Sequence, residues 1–507
     1  MNREQFESKP LPQNMLSQVD HLFRAGVECL KQGRMQEAVS ALQQVLSLDP
    51  RHAQAYNNLG VVLAQLTRFS QAAHCFSMAL RIQPDSTDSQ RNLTQVTADL
   101  EKNGPDHLSS RMPFDISLAG AEVEYAAGMS EVARGDFDSA QATLRRALNI
   151  NPAHAMSHYG LAMLYAELGR LSESIESLRR SLAYDPTSAI ARYDLARLRL
   201  QLGDFERGWP EFESRWEVKG ANVRNFNRPL WNGEFMEHRT ILLHGEQGIG
   251  DVIQFIRYAE VVKQKSGARI LVSSPPSLHP LLSTCPGVDQ MVGMGPVLPP
   301  FDAHASLMSL PWIVKTRLES IPSQIPYLTA NAALVERWKK DFATMAGFKI
   351  GIVWQGTPTY TRDHNRSIAL KHFEPLARVP GVRLVSLQKG PGVEELRSVA
   401  DDWPILDMDR RIDENTGSFM DTAAVMMNLD LMISVDTSAC HLAGALGVPI
   451  WLPVWKVPEW RWLIDRDDSP WYPSMRLFRQ KKLGNWDEVM RRMADEVNQL
   501  MNSRRAT

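Results

Sequence analysis

Tryptophan is missing from the first 208 of the 507 residues, and all 13 tryptophans lie at or after Trp209. The chain therefore joins two compositions near residue 210, and at roughly 100–200 residues per domain its length corresponds to two to four domains. Cysteine is scarce. Cys29, Cys75, Cys285 and Cys440 lie far apart and form no CxxC pair, which excludes a disulfide framework and a zinc cluster and predicts buried, reduced thiols. Charge of one sign is also lacking: 56 Lys+Arg oppose 58 Asp+Glu, a net of −2. No basic balance draws the chain to nucleic acid or to an anionic membrane surface. Long apolar runs are absent too. The longest, near Ala443–Trp455, is broken by Pro449 and Pro453 and falls short of the ~20 residues of a spanning helix. The opening MNREQFESKP has no apolar signal-peptide core. These absences predict a cytoplasmic protein without a transmembrane segment. The remaining composition is that of an ordinary soluble chain, 44% hydrophobic and 22% charged, and neither disorder nor low complexity fits it.

The Trp-free part is periodic. Prolines that end helical patterns stand at Pro50, Pro84, Pro152 and Pro186, at spacings of 34, 68 and 34. In 34-residue frames laid from Val19, Gly26, Gly60, Gly128 and Ala162 share one position, and Ala38, Ala72 and Ala140 share another. Leu42, Phe76, Leu144 and Leu178 follow four residues after the second position. A small side chain lets two helices approach closely, and a large one fills the gap against the next repeat. The pattern resembles the tetratricopeptide repeat, a 34-residue helical hairpin. The frame Thr87–Gly120 has the right length but is interrupted by Gly104, Pro105 and Pro113, so it is a degenerate repeat or an ordered insertion. The last frame, from Ala189, runs into GDFERGWPEFESRWE (Gly203–Glu217) and reads as a cap that joins the array to the Trp-bearing part of the chain. Such arrays serve as spacers or dimerisation surfaces, or bind a protein partner on the concave face; partner binding is the expectation by analogy.

After residue 239 short apolar runs alternate with helical stretches. Arg239–Gly245, Ala268–Ser274 and Val288–Val292 form one series, and Phe348–Trp354, Val382–Gln388, Asp430–Val435 and Val448–Val454 a second. Helices are expected over Asp251–Gly267, Ser277–Ser283 and Asn331–Ala346. This rhythm predicts two parallel-sheet units with a cleft between them, and chemistry in the loops beyond the carboxyl ends of the strands. Three loops stand out. HGEQGIGD (His244–Asp251) opens a helix with Gly248 and Gly250, which permit close backbone approach. Its spacing is not GxGxxG, and Asp251 can be a helix cap or a functional carboxylate. WQGTPTYTRDHNRSI (Trp354–Ile368) carries Arg362, His364 and Arg366, suited to a diphosphate or to an exposed basic loop. SVDTSACHLAGALGVP (Ser434–Pro449) places Asp436, Thr437 and Ser438 where a strand gives way to a helix, with His441 on its first turn: an anion site or a well-capped helix.

With these motifs the span from about Trp231 to Gln480 resembles the heptosyltransferase-like glycosyltransferases, which use the two-Rossmann GT-B fold. The carrying residues are GIGDVIQF and VDTSACHLAGALGVP. Proteins that pair tetratricopeptide repeats with such a domain also show the WQG…NRSI, SLQKG and WRWLIDRDDSPWYPSMRLFRQ segments found here.

The resemblance implies an α plus α/β chain: an N-terminal extension (1–18), a tetratricopeptide α-solenoid (19–222), a first Rossmann-like lobe on the acceptor side (223–330), a second on the donor side (331–482) and a C-terminal helix (483–507). It implies a bacterial, inverting glycosyltransferase acting on a nucleotide-diphosphate sugar, without metal or other cofactor, on a protein or glycan acceptor recruited by the array. Asp251 would be the general base, and Thr437 and Ser438 would bind diphosphate. Asp436 and His441 would orient the donor, and Arg366 would neutralise the leaving phosphates. Gly248, Gly250, Trp354, Gly356, Gln388 and Lys389 would complete the donor site. Trp460 and Trp462 would stack on base or sugar, or pack in the core. Two departures stand: heptosyltransferases of the lipopolysaccharide pathway lack the array and generally carry Lys in place of Arg366. The array itself is similar to that of the eukaryotic protein O-GlcNAc transferase. DMD (Asp407–Asp409) and DRDD (Asp465–Asp468) read as loop acids rather than metal sites. A repeat scaffold with a glycosyltransferase-like domain that binds without catalysis is the alternative.

Overall fold

The computed structural model describes residues 13–49, 51–103, 116–220, 224–360, 362–399, 403 and 405–506. Pro50, Gly104, Pro105, Pro113 and the MNREQFESKP segment lie outside the described residues. The chain forms two compact units, Met1–Ala191 and Arg192–Thr507.

The described residues of the first unit form helices joined by turns. Its hairpins are Gln13–Lys31 with Met35–Leu48, Ala53–Gln65 with Phe69–Ile82, Ile116–Arg134 with Phe137–Ile150, and Ala155–Glu167 with Leu171–Tyr184. The second helix of each hairpin ends two residues before one of the 34-spaced prolines, because the residue before a proline is pushed out of helical geometry. The small-to-large pairing is physical. A Cβ on Gly26 would lie 2.9 Å from Leu42 Cγ, one on Gly60 2.6 Å from Phe76 Cε1, and one on Gly128 2.7 Å from Leu144 Cγ. The large residue thus fills the gap inside its own hairpin. Leu144 also reaches the following repeat, where a Cβ on Gly160 would come within 2.8 Å of it. Ala38, Ala72 and Ala140 are fully buried. In the frame Thr87–Gly120 the helix Thr87–Asn103 forms, and the next helix starts at Ile116.

Gly60→Ala should lower the melting midpoint of the first unit, followed by helical circular dichroism. Overpacking against the rigid Phe76 ring costs about 1–3 kcal/mol, while the gain in helix propensity returns at most about 1 kcal/mol. An unchanged midpoint would mean that the hairpin has slack at this crossing.

The second unit starts with the rest of the helix Ala189–Gln201 and the helix Phe205–Phe212, then carries two parallel sheets. The first, in order β3-β2-β1-β4, contains β1 (Thr240–His244), β2 (Arg269–Ser273), β3 (Gln290–Val292) and β4 (Ala303–Ser306). The second, in order β10-β9-β8-β5-β6-β7, contains β5 (Phe348–Val353), β6 (Val382–Ser386), β7 (Ile405–Asp407), β8 (Leu431–Ser434), β9 (Ile450–Val454) and β10 (Met475–Arg479). Strands covered on both faces read as continuous apolar runs, and β1, β5, β8 and β9 are buried along almost their whole length. Strand order reverses between β1 and β4 and between β5 and β8. These are the switch points where crevices open beyond the strand ends. The predicted helix over Asp251–Gly267 is two, Ile249–Phe255 and Tyr258–Ser266. The tryptophans of the Gly203–Glu217 segment belong to this unit: Trp209 packs edge-on to Trp460, with ring centres 5.4 Å apart.

Candidate functional site

The loops after β1, β5 and β8 meet at a cavity of about 1030 Å3. Of the sequence-derived residues, Gly248, Gly250, Asp251, Gly356, Arg366, Gln388, Lys389, Asp436, Thr437, Ser438 and His441 line it, as do Trp460 and Trp462.

Asp251 stands on the first turn of the helix Ile249–Phe255, and both its oxygens are engaged. Oδ2 accepts the Gly248 N–H at 3.0 Å, and Oδ1 accepts Nη2 of Arg461. The capping role and a place on the cleft wall therefore coexist. Gly248 has its N–H committed to this cap. Gly250 is a packing position: a Cβ there would lie 3.0 Å from His441 Cδ2 and 3.5 Å from Ser438 Cα, so the absence of a side chain lets this helix meet the helix Ser438–Leu446.

After β5 the chain bends around Arg366. Its Nε donates to Asp363 Oδ1 at 3.0 Å, its Nη1 donates to the Asp436 carbonyl at 2.8 Å, and its guanidinium lies 4.5 Å from the Tyr360 ring centre. A Cβ on Gly356 would come within 2.6 Å of Arg366 Nη2, so only glycine leaves room for the guanidinium there. A cation held on three sides is already ordered before a ligand arrives, so little side-chain freedom is left to lose on binding.

At the end of β8, Thr437 precedes the helix Ser438–Leu446 in extended conformation, and its side chain makes no capping hydrogen bond. The first N–H groups of that helix are thus not satisfied by a cap, and the helix dipole favours an anion there. Asp436 Oδ2 accepts the Trp462 indole N–H at 2.9 Å, and burial raises the Asp436 pKa. His441 Nδ1 lies 2.9 Å from the Tyr472 hydroxyl, and its ring stacks on Trp462 with centres 5.6 Å apart. Burial, then Arg461, Arg257 and Arg366, hold the His441 pKa well below its ordinary value, so the ring is neutral. Asp436, Cys440 and His441 bring one ligand atom each within 4.8 Å of one another. Burial pushes the Cys440 thiol far up, and a protonated thiol beside arginines is a poor cation ligand.

Of the expected donor contacts, Trp354 and Gln388 are engaged elsewhere, and Lys389 has two of its three N–H groups in use. Trp354 is fully buried in the core of the second sheet and is not part of the cavity wall. Gln388 accepts the N–H groups of Trp354 and Gln355 on Oε1 and donates from Nε2 to the carbonyls of Gln355 and Pro391. A side-chain amide has four hydrogen-bonding places, so Gln388 staples the loop after β5 and is saturated. Lys389 donates to the carbonyls of Asp409 and Ile412 at 2.9 and 2.7 Å. Trp460 and Trp462 are buried at 4% and 1% exposure and pack on neighbouring aromatic rings.

Residues not singled out from the sequence also line the cavity: Tyr193 and Arg197 from the helix Ala189–Gln201, Tyr360, Glu459 and Arg461. Glu459 and Arg461 flank Trp460 in EWRW. Opposite charges two apart on a turn were the available signal.

The tetratricopeptide repeat family matches residues 23–87, 125–189 and 162–221, and the chain carries those repeats. It is 23% identical over 486 residues to Protein FlbA of Caulobacter vibrioides, covering 91% of this chain and 70% of FlbA. Its fold is similar to a glycosyl transferase family 9 structure from Veillonella parvula, with a TM-score of 0.39, 12% identity, 53% of this chain and 98% of that one. It is likewise similar to ADP-heptose lps heptosyltransferase II of E. coli, with a TM-score of 0.38, 13% identity, 52% of this chain and 99% of that one. A TPR protein of Thermus thermophilus matches 40% of this chain and 91% of its own at 20% identity, with a TM-score of 0.18. Among the described residues no helix is long and apolar enough to cross a membrane.

Proposed function

We propose that the chain is a metal-independent, cofactor-free glycosyltransferase. It takes a sugar from a nucleotide-diphosphate donor and transfers it with inversion to a protein or glycan acceptor recruited by the repeat array in the cytoplasm. The observation that carries this reading is Arg366, braced against the Asp436 carbonyl beside the uncapped N-terminus of the helix Ser438–Leu446. A fixed guanidinium and a helix N-terminus at one wall of a cleft suit a diphosphate, and Asp251 stands on the same cleft. In the transfer the acceptor O–H bond breaks and its proton passes to Asp251. The acceptor oxygen then bonds to the anomeric carbon, while the bond from that carbon to phosphate breaks and the electron pair leaves on the nucleoside diphosphate. Arg366 and the helix N-terminus stabilise the charge that develops there. Lys389 keeps one N–H for the donor, and Asp436 and neutral His441 shape the sugar side.

Calorimetry with a panel of nucleotide-diphosphate sugars, followed by product detection, tests the reading. No binding by any of them would end it. Arg366→Ala should weaken the donor complex roughly 10- to 100-fold, the loss of charge-assisted hydrogen bonds of about 1.5–3 kcal/mol. Unchanged affinity would take Arg366 out of the site. The engagement of both Asp251 oxygens favours a second reading, a scaffold that binds donor without transfer. Donor binding without any product would select it.

A further inference from the structure

The turn Glu459–Trp462 carries a cation that holds three groups at once. Arg461, itself buried, donates from Nη1 to Glu459 Oε1 at 2.6 Å, from Nη2 to Asp251 Oδ1, and from Nε to Gln254 Oε1. Its guanidinium lies 4.2 Å from the centre of the Trp460 ring. The rigid fork of a guanidinium fixes these partners relative to one another. Asp251 follows β1 and Glu459 follows β9, so one cation ties a carboxylate of the first lobe to a carboxylate of the second, both on the cavity wall. Two anions share this cation. Neutralising one leaves Arg461 a single hydrogen-bonded anion and tightens its hold on that one.

We infer that Glu459 and Arg461 are positioning residues for Asp251. Ionised Glu459 shares the Arg461 charge and loosens its hold on the Asp251 carboxylate, which can then accept a proton; protonated Glu459 leaves that charge to Asp251 and tightens the hold. The inference rests on the glycosyl-transfer reading. Glu459 is placed to change state under ordinary conditions: burial pushes its pKa up to about 7, with Arg461 opposing and Asp436 adding to the rise. The charged and titratable groups facing it are Arg461 on its own turn, Asp436 from the loop after β8, and Arg197 and Tyr193 from the helix Ala189–Gln201. Asp251 from the helix after β1 lies across the shared guanidinium.

Glu459→Gln keeps the shape and removes the titration. In the native chain, kcat for transfer from a nucleotide-diphosphate sugar should rise through a limb near pH 7. In the variant that limb should be absent and kcat held near the native acid value, roughly 10-fold down at pH 8, the equivalent of one pKa unit. Donor affinity should stay within about twofold, and Glu459→Asp should restore the limb. A purely structural role would lower stability without moving the pH profile. Melting curves read the same proton without a substrate. The folded pKa of about 7 is above the ordinary 4.5, so the protonated carboxyl contributes stability below pH 4.5 that is lost as pH rises through 7. The midpoint of the native chain relative to Glu459→Gln should therefore fall between pH 4.5 and 7 and level off above. A constant difference overturns the inference, and so does a variant that keeps the native limb while the native chain is active. A native chain that turns over no nucleotide-diphosphate sugar at any pH overturns the transfer reading and, with it, this one.

Discussion

Asp251→Asn should lower turnover by about 100- to 10,000-fold, the range that general-base catalysis contributes, while donor affinity changes little. Asparagine keeps the outline of the side chain, and its amide oxygen can still accept from Arg461. It cannot take up the acceptor proton. It also gives up part of the cap on the helix Ile249–Phe255, because an amide nitrogen turned toward the Gly248 N–H opposes donor to donor. That loss should cost on the order of 1 kcal/mol, too little to unfold the domain. Steady-state kinetics paired with calorimetry separates the outcomes. A fall in kcat at constant donor Kd assigns Asp251 to the chemistry, retained turnover removes it as the base, and loss of donor binding points to collapse of the loop after β1.

Gly444→Val should cost about 3 kcal/mol, the upper part of the usual range for overpacking a filled core. The ring of Tyr472 lies directly on Gly444: a Cβ there would fall 2.3 Å from Cδ1 and 2.6 Å from Cγ. Tyr472 is fully buried, with the Arg257 guanidinium 4.5 Å from its ring centre, so it has no room to retreat. For a unit of this size the loss corresponds to a midpoint lower by roughly 4–5 °C. The donor site should weaken as well, since the displaced ring carries the hydroxyl that meets His441. Thermal unfolding measures the first effect and calorimetry the second. Gly444→Ala should fall between the native chain and the valine variant. An unaltered midpoint in Gly444→Val would mean that the helix Ser438–Leu446 can shift away from Tyr472.

The legible parts of the fold were those with a repeat or a long apolar run. The Gly26/Leu42, Gly60/Phe76 and Gly128/Leu144 pairs recur every 34 residues or a multiple of it, and each proved to be a steric contact. β1, β2, β5, β6, β8 and β9 announce themselves as apolar runs. β4 (AHAS) and β7 (three residues) are too short and too polar to do so, and β10 (MRLFR) is interrupted by two arginines. At the site, the loops after β1, β5 and β8 were readable because glycines and hydroxyls mark strand-to-helix turns. Local spacing could not reveal how side chains are used up. Gln388 looked available in SLQKG, yet its amide is saturated by backbone groups that include those 33 and 34 residues upstream. Arg461 finds Asp251 across 210 residues of chain, a distance at which sequence pattern carries no signal.

The bare backbone at Gly250 has a mechanical consequence. There the helix after β1 meets His441 and Ser438 with no side chain between. A methyl group at position 250 would press on the His441 ring, so Gly250→Ala passes its strain straight to the uncapped helix start on the cavity wall.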